Sequence, residues 1–83
     1  MKALTNQEVA LIIKCNLRRI QNQSILTKER VAELAHISME RYNQYETGAK
    51  LMNFCDLVKI ANALEVKTDD LLDGILDFMK KNN

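Results

Sequence analysis

Residues 27–48 read TKERVAELAHISMERYNQYETG, and the spacing of caps and apolar side chains within them decides the fold. Thr27 can accept a backbone N–H as an N-cap, and Glu29 follows in the first turn, where a helix dipole favours an acid. Val31, Leu34 and Ala35 then recur at helical intervals, which predicts a short helix. His36-Ile37 breaks the period and Ser38 offers the next N-cap. Met39 to Glu46 follows as another short helix, with Tyr42 and Tyr45 at i, i+3 on one face, and Thr47-Gly48 ends it because Gly48 can turn left-handed. Helices that meet steeply over a tight turn need a small residue where they cross, and Ala32 supplies one. Val31, Ala35, Ile37, Tyr42 and Tyr45 are expected to point inward. Met39, Glu40, Asn43 and Gln44 are left on the other side, since 40 and 44 lie one turn apart.

Working outward, Thr5-Asn6-Gln7-Glu8 has the form of a capping box. Behind it Val9, Ile12, Ile13, Leu17 and Ile20 recur at three- and four-residue steps, which predicts an amphipathic helix of about four turns ended by Asn22-Gln23-Ser24. Downstream, Asn53 is positioned to cap a helix carrying Phe54, Leu57, Val58, Ala61 and Leu64. Glu65-Val66-Lys67 interrupts it, and Thr68 is expected to cap a last helix through Leu71, Leu72, Ile75, Leu76, Phe78 and Met79 toward the basic Lys80-Lys81. The expectation is an all-α domain of five short capped helices spanning residues 1–83, with no linker or internal repeat.

Composition agrees. The 83 residues contain no proline and only two glycines, which disfavours a turn-rich β fold. A chain of this length has room for one small core, and 47% hydrophobic with 28% charged residues is ordinary for a globular protein. Val9 to Ile13 is the longest apolar run, far short of the roughly 20 residues of a membrane span. Polar residues from Thr5 to Glu8 break any signal-peptide core, so a cytoplasmic protein is expected. Cys15 and Cys55 match no metal or redox spacing and are read as small buried hydrophobes in a reducing compartment. His36 is the only histidine, so neither a metal centre nor a histidine-based catalytic dyad assembles, and no enzyme or cofactor is expected. Net charge is only +1, but residues 1–50 carry eight Lys/Arg against five Asp/Glu, and the remainder four against six. The basic balance therefore lies with the first half.

The run from Thr27 to Gly48 resembles the helix-turn-helix of the Cro/lambda-repressor-like family, the xenobiotic-response-element type of regulator. Thr27, Val31, Ala32, Ile37, Ser38, Tyr42, Tyr45, Glu46 and Gly48 fall on that family's pattern, and DLVKIANALEVKTDDLL, residues 56–72, resembles its fourth helix and the start of its fifth. The resemblance covers roughly residues 11–72. It implies a compact lambda-repressor-like fold that reads double-stranded DNA. The chain departs from the pattern at several places. His36, Glu65 and Ile25 stand where glycine is common, and no proline follows Gly48. Gln21 replaces the arginine that pairs with the glutamate ending the recognition helix, so Glu46 is expected to take hydrogen bonds from Gln21 or backbone instead.

The resemblance and the exposed face of residues 39–46 together nominate the contacts. Gln44 can bond adenine N6 and N7 bidentately, Met39 can lie on a thymine methyl, Glu40 can accept from cytosine N4, and Asn43 shares their face. Lys28, Ser38, Arg41 and Lys50 are candidates for phosphate, Lys28 and Ser38 beside helix N-termini. Each has a plainer alternative: Met39 as packing, Glu40 as a dipole-favoured acid, Ser38 as a cap. Family members of this length usually bind inverted repeats as dimers, and Ile75, Leu76, Phe78 and Met79 are where a homodimer contact is expected. No small-molecule effector module is evident. A phage-type repressor, a restriction–modification controller and an antitoxin-like autoregulator all fit, and repression and activation stay open. The competing class is a protein-interaction module that keeps the fold with little DNA affinity, consistent with the low net charge and with Glu40 on the reading face.

Overall fold

Thr5 Oγ1 accepts the Glu8 N–H at 3.1 Å while Glu8 Oε1 accepts the Thr5 N–H at 2.9 Å, and this closed capping box starts the first helix. The fold is that of a computed structural model describing residues 3–75. Among these, five α-helices and no strands occur: α1 Asn6–Gln23, α2 Lys28–Leu34, α3 Met39–Glu46, α4 Phe54–Ala63 and α5 Thr68–Leu71. The all-α expectation therefore holds. With 18 residues, α1 is a turn longer than its apolar stripe suggests. Thr27, Ser38 and Asn53 each cap the next helix by accepting the N–H three residues on, at 3.1, 3.1 and 2.7 Å. Thr68 does not cap α5. The helix starts one residue earlier than expected, with Lys67 as N-cap, because Asp70 Oδ2 reaches back to the Lys67 N–H at 2.9 Å.

The core takes one fully buried side chain from every helix: Leu17, Val31, Tyr42, Ile60 and Leu71 all have 0% exposure. Burying an aliphatic side chain of this kind is worth about 1.5–3 kcal/mol. Ala32, at 2% exposure, lies where α2 meets α3, as its size suggested. The stripe of α4 differs from the expected one. Leu57, Ile60, Ala61 and Leu64 face inward, whereas Phe54 and Val58 lie round the helix from that row and stay exposed, as does Leu34 at the end of α2. Both cysteines are free and exposed rather than buried, because each sits off the inward row of its helix. Buried Asn16 fastens the chain after α4 to α1, its Nδ2 donating to the carbonyls of Leu71 and Asp73, both at 2.9 Å.

Helices α2 and α4 end alike. His36 (φ +56°) and Glu65 (φ +57°) take the left-handed conformation, Ile37 N donates to Ala32 O at 3.0 Å, and Val66 N donates to Ala61 O at 2.9 Å. Shorter-range bonds from His36 to Glu33 O and from Glu65 to Asn62 O complete two Schellman motifs. The left-handed turns thus fall at two of the three positions where the family pattern favours glycine; Ile25 has no positive φ. Gly48 (φ +77°) plays this part after α3, and a Cβ there would stand 3.2 Å from Lys14 Cδ.

His36→Gly and Glu65→Gly are each expected to stabilise the protein by about 0.5–1 kcal/mol, because relief of left-handed strain exceeds the added chain entropy. Gly48→Ala is expected to cost roughly 1–2 kcal/mol. Urea melts followed by helical circular dichroism check both; midpoints lowered in the two glycine variants would count against the strain at these turns.

Candidate nucleic-acid interface

The α2–turn–α3 unit is set by its caps. The Schellman bonds at Ala32 to Ile37 end α2 and drop Ile37 against the core, and Ser38 starts α3 immediately afterwards. Little freedom remains in the angle between the helices, because the terminating and initiating hydrogen bonds lie within a few residues of each other.

Three tethers then fix α3, each to a different helix. Tyr42 is fully buried and its hydroxyl donates to Gln21 Oε1 on α1 at 2.6 Å, while Gln21 Nε2 donates to Leu26 O at 2.7 Å. Tyr45 donates to Asp56 Oδ2 on α4, and Arg41 Nε lies 2.8 Å from the same oxygen. Glu46 pairs with Lys28 at the start of α2, at 2.7 and 2.8 Å to its two oxygens. Glu46 therefore does have an ion partner. Lys28 supplies the charge expected from Gln21's position, while Gln21, a shorter neutral side chain, serves Tyr42 and Leu26 instead. Asp56 is 3% exposed, a buried carboxylate made tolerable by the donors around it.

The expected contact residues divide accordingly. Glu40 and Asn43 are exposed and Gln44 is half-buried; no hydrogen bond occupies their side-chain polar atoms among the described residues, so this row is open to a ligand. Met39 is half-buried and packs on the core edge. Ser38 spends its hydroxyl on the Arg41 N–H. Lys50 is exposed and its N–H donates to Gln44 O at 3.2 Å, which places it just past the end of α3. Lys28 and Arg41, nominated for phosphate, are both in internal ion pairs. Ile75 is half-buried, and Leu76, Phe78 and Met79 lie outside the described residues. Sequence reasoning passed over Asp56, read only as part of a helical pattern, and Asn16. An acid in the first turn of an otherwise apolar helix is the signal that could have singled out Asp56.

Burial raises the ionisation of the Tyr42 hydroxyl far above its ordinary value, and the charge of Glu46 adds to the shift. Tyr45 is also raised, first by burial and then by its bond to Asp56, with Arg41 opposing. Arg41 is held more firmly in its charged form by its bond to Tyr45 and by the Asp56 carboxylate. Among the described residues no helix is long and apolar enough to cross a membrane, and no three His, Cys, Asp or Glu side chains converge to hold a metal ion.

Comparison with known proteins bears on the same stretch. A family model described as a helix-turn-helix domain matches residues 15–74. An uncharacterized HTH-type transcriptional regulator of Bacillus subtilis (strain 168), YqaE, is 34% identical over 59 residues, which is 71% of this chain and 51% of that protein. The cryptic phage CTXphi transcriptional repressor RstR of Vibrio cholerae serotype O1 is 42% identical over 45 residues, 54% of this chain and 40% of RstR. The chain thus spans about half the length, or less, of these curated relatives. No solved structure matches it.

The tyrosine tethers make a prediction with a definite sign. Both hydroxyls hold their protons more tightly folded than unfolded, so their contribution is complete below about pH 10, the unfolded value, and is lost as pH rises above it. These are the only two tyrosines. Phenolate absorbance is therefore expected to stay absent past about pH 10 and then to appear together with the loss of helical circular dichroism. Tyr42→Phe, which leaves the buried Gln21 oxygen without its donor, is expected to cost about 1–3 kcal/mol and to shrink the alkaline loss. Ordinary tyrosine titration in a fully helical protein would refute the buried tethers.

Proposed function

Because the chain belongs to the helix-turn-helix domain family, we propose that it is a DNA-binding transcriptional regulator that works as a homodimer on an inverted-repeat operator, with α3 in the major groove. The observation that carries this reading is the tethering of α3. Three of its core-side residues, Tyr42, Tyr45 and Glu46, are tied to three different helices, while Glu40, Asn43 and Gln44 form an open polar row. A major groove about 12 Å wide admits one such helix, and base recognition needs donors and acceptors held at fixed depth. The names of the two relatives, a transcriptional regulator and a transcriptional repressor, support the regulatory role.

Within this reading Gln44 is the principal base reader, toward adenine. Asn43 and Glu40 flank it, and the exposed edge of Met39 meets a thymine methyl. Lys50 and Ser38 face phosphates, with Arg41 at the side of the helix. Lys28 contributes its charge from the start of α2 while bracing Glu46. Residues 1–83 act as one domain, with the dimer contact placed at Ile75, Leu76, Phe78 and Met79 from their apolar spacing. Two reading helices with roughly six to ten phosphate contacts between them would lose on the order of 10³–10⁵ in affinity between 50 and 200 mM salt. Such a protein binds its target and leaves it chemically unchanged.

The competing reading, a protein-interaction module, draws on the exposed carboxylate of Glu40, which repels phosphate on the proposed reading face. Selection from a random duplex DNA pool, at low and near-physiological salt, separates the two. Enrichment of an inverted repeat with half-site centres about one helical turn apart is expected, and Gln44→Ala should abolish preference at one position per half-site. Failure to enrich any sequence at either salt would refute the DNA reader and leave the interaction module.

A further inference from the structure

Arg41 is held in a way that neutralising a buried acid does not require. Its Nε lies 2.8 Å from Asp56 Oδ2 and donates to Tyr45 Oη at 3.3 Å, but no hydrogen bond among the described residues engages its terminal Nη1 or Nη2. Asp56 is itself held by several hydrogen bonds. Its backbone N–H is bonded to Asn53 Oδ1 at 2.7 Å, and its Oδ2 also takes the Tyr45 hydroxyl and Asn53 Nδ2. The carboxylate is 4% exposed in its side chain, whereas the Arg41 side chain is 43% exposed. A buried, hydrogen-bonded anion thus holds the inner nitrogen of a half-exposed arginine side chain, whose outer nitrogens have no hydrogen-bond partner among the described residues. Without such a grip an arginine samples many rotamers, and fixing one of them on binding costs affinity.

The place of Arg41 on α3 indicates what the fork meets. One residue from Glu40 is about 100° round a helix, so Arg41 stands on the flank of the Glu40–Asn43–Gln44 row, on the side facing α4. Glu46 and its partner Lys28 occupy the other flank. A helix lying in a groove presents its central row to bases and its flanks to the walls, which are sugar-phosphate backbone. A planar fork of N–H donors suits phosphate oxygens.

We propose that Asp56 and Tyr45 are positioning residues that clamp Arg41 by its Nε, presenting Nη1 and Nη2 as a preformed fork for one DNA phosphodiester beside the reading helix. This rests on the reading of α3 as a DNA-binding helix. It gives Asp56 a consequence opposite to bare electrostatics: removing a negative charge near DNA should tighten binding, whereas removing the clamp should weaken it.

The test measures binding of the full chain to a selected duplex and to a random duplex across a salt series. The variants are Arg41→Ala, Arg41→Lys, Asp56→Asn, Tyr45→Phe and the Arg41→Ala/Asp56→Asn pair, with helical circular dichroism recorded for each. Arg41→Ala should lower the salt slope by about 0.9 on both duplexes and weaken binding roughly five- to tenfold near 0.1 M salt. Asp56→Asn and Tyr45→Phe should weaken it in the same direction, while Asp56→Asn adds no further loss once Arg41 is alanine. Arg41→Lys keeps the charge and can answer Asp56, but it has no outer fork, so it should bind like Arg41→Ala. If Asp56→Asn tightens binding, weakens it equally with and without Arg41, or if Arg41→Lys matches the parent, the clamp is refuted. Loss confined to one base pair with an unchanged salt slope would refute the phosphate assignment. A parent protein that binds no duplex at any salt would remove the DNA reading itself, whereas strong parent binding untouched by Arg41→Ala would refute this inference alone.

Discussion

An isolated helix of eight residues does not persist in water, because its first hydrogen bond must fix several residues at once. Helix α3 has that length, so its persistence depends on tertiary contacts on its inner side. Tyr42 and Tyr45, both essentially fully buried, provide apolar area and a polar tip on the same side chain. Each tip ends on a group that is itself anchored, Gln21 by Leu26 O and Asp56 by Asn53. Helix order and the orientation of the open row are therefore one property. Loosening any tether also lets Glu40, Asn43 and Gln44 drift from a common plane.

The connections around α3 follow from the same demand. A helix held on three sides needs neighbours that stop and start within a few residues, and the Schellman ends of α2 and α4 provide that. His36 and Glu65 accept strained left-handed backbones, where glycine would cost less in the folded state but more in chain entropy. The hydrophobic partner that such a motif uses is present at both ends, Ile37 and Val66 packing against the core.

Much of this was legible in the sequence because it is local. The caps at Thr5, Thr27, Ser38 and Asn53, the small Ala32 at the crossing, the inward tyrosines and the open row 40–43–44 all follow from spacings within one or two helical turns. The unread features are long-range choices among equivalent side chains. Lys28 and Arg41 carry the same charge as Lys50, and only the arrival of Glu46 and Asp56 in space separates the paired from the free. Exposure at Phe54, Val58 and the cysteines depends on how much of a helix its neighbours cover, which periodicity alone does not specify. Thr68 lost its capping role to an acid two residues on, a competition decided by geometry of the turn.

The pairing also changes what the basic first half can do. Of its Lys and Arg residues, Arg19, Lys28, Arg30 and Arg41 each face an acid, leaving Lys14, Arg18 and Lys50 without an ion pair among the described residues. A protein so nearly neutral, +1 in all, generates little long-range field to draw a polyanion, and exposed charges are screened beyond about 10 Å at 0.1 M salt. Affinity for DNA would then have to come from short-range contacts made with little loss of freedom. In that regime the fixed orientation of α3 would matter most. Under the proposed reading, a second linked half-site would raise that affinity further through its effective concentration. On the same reading, the internal ion pairs that order α3 leave fewer free cations for long-range attraction and put the weight on preformed contacts.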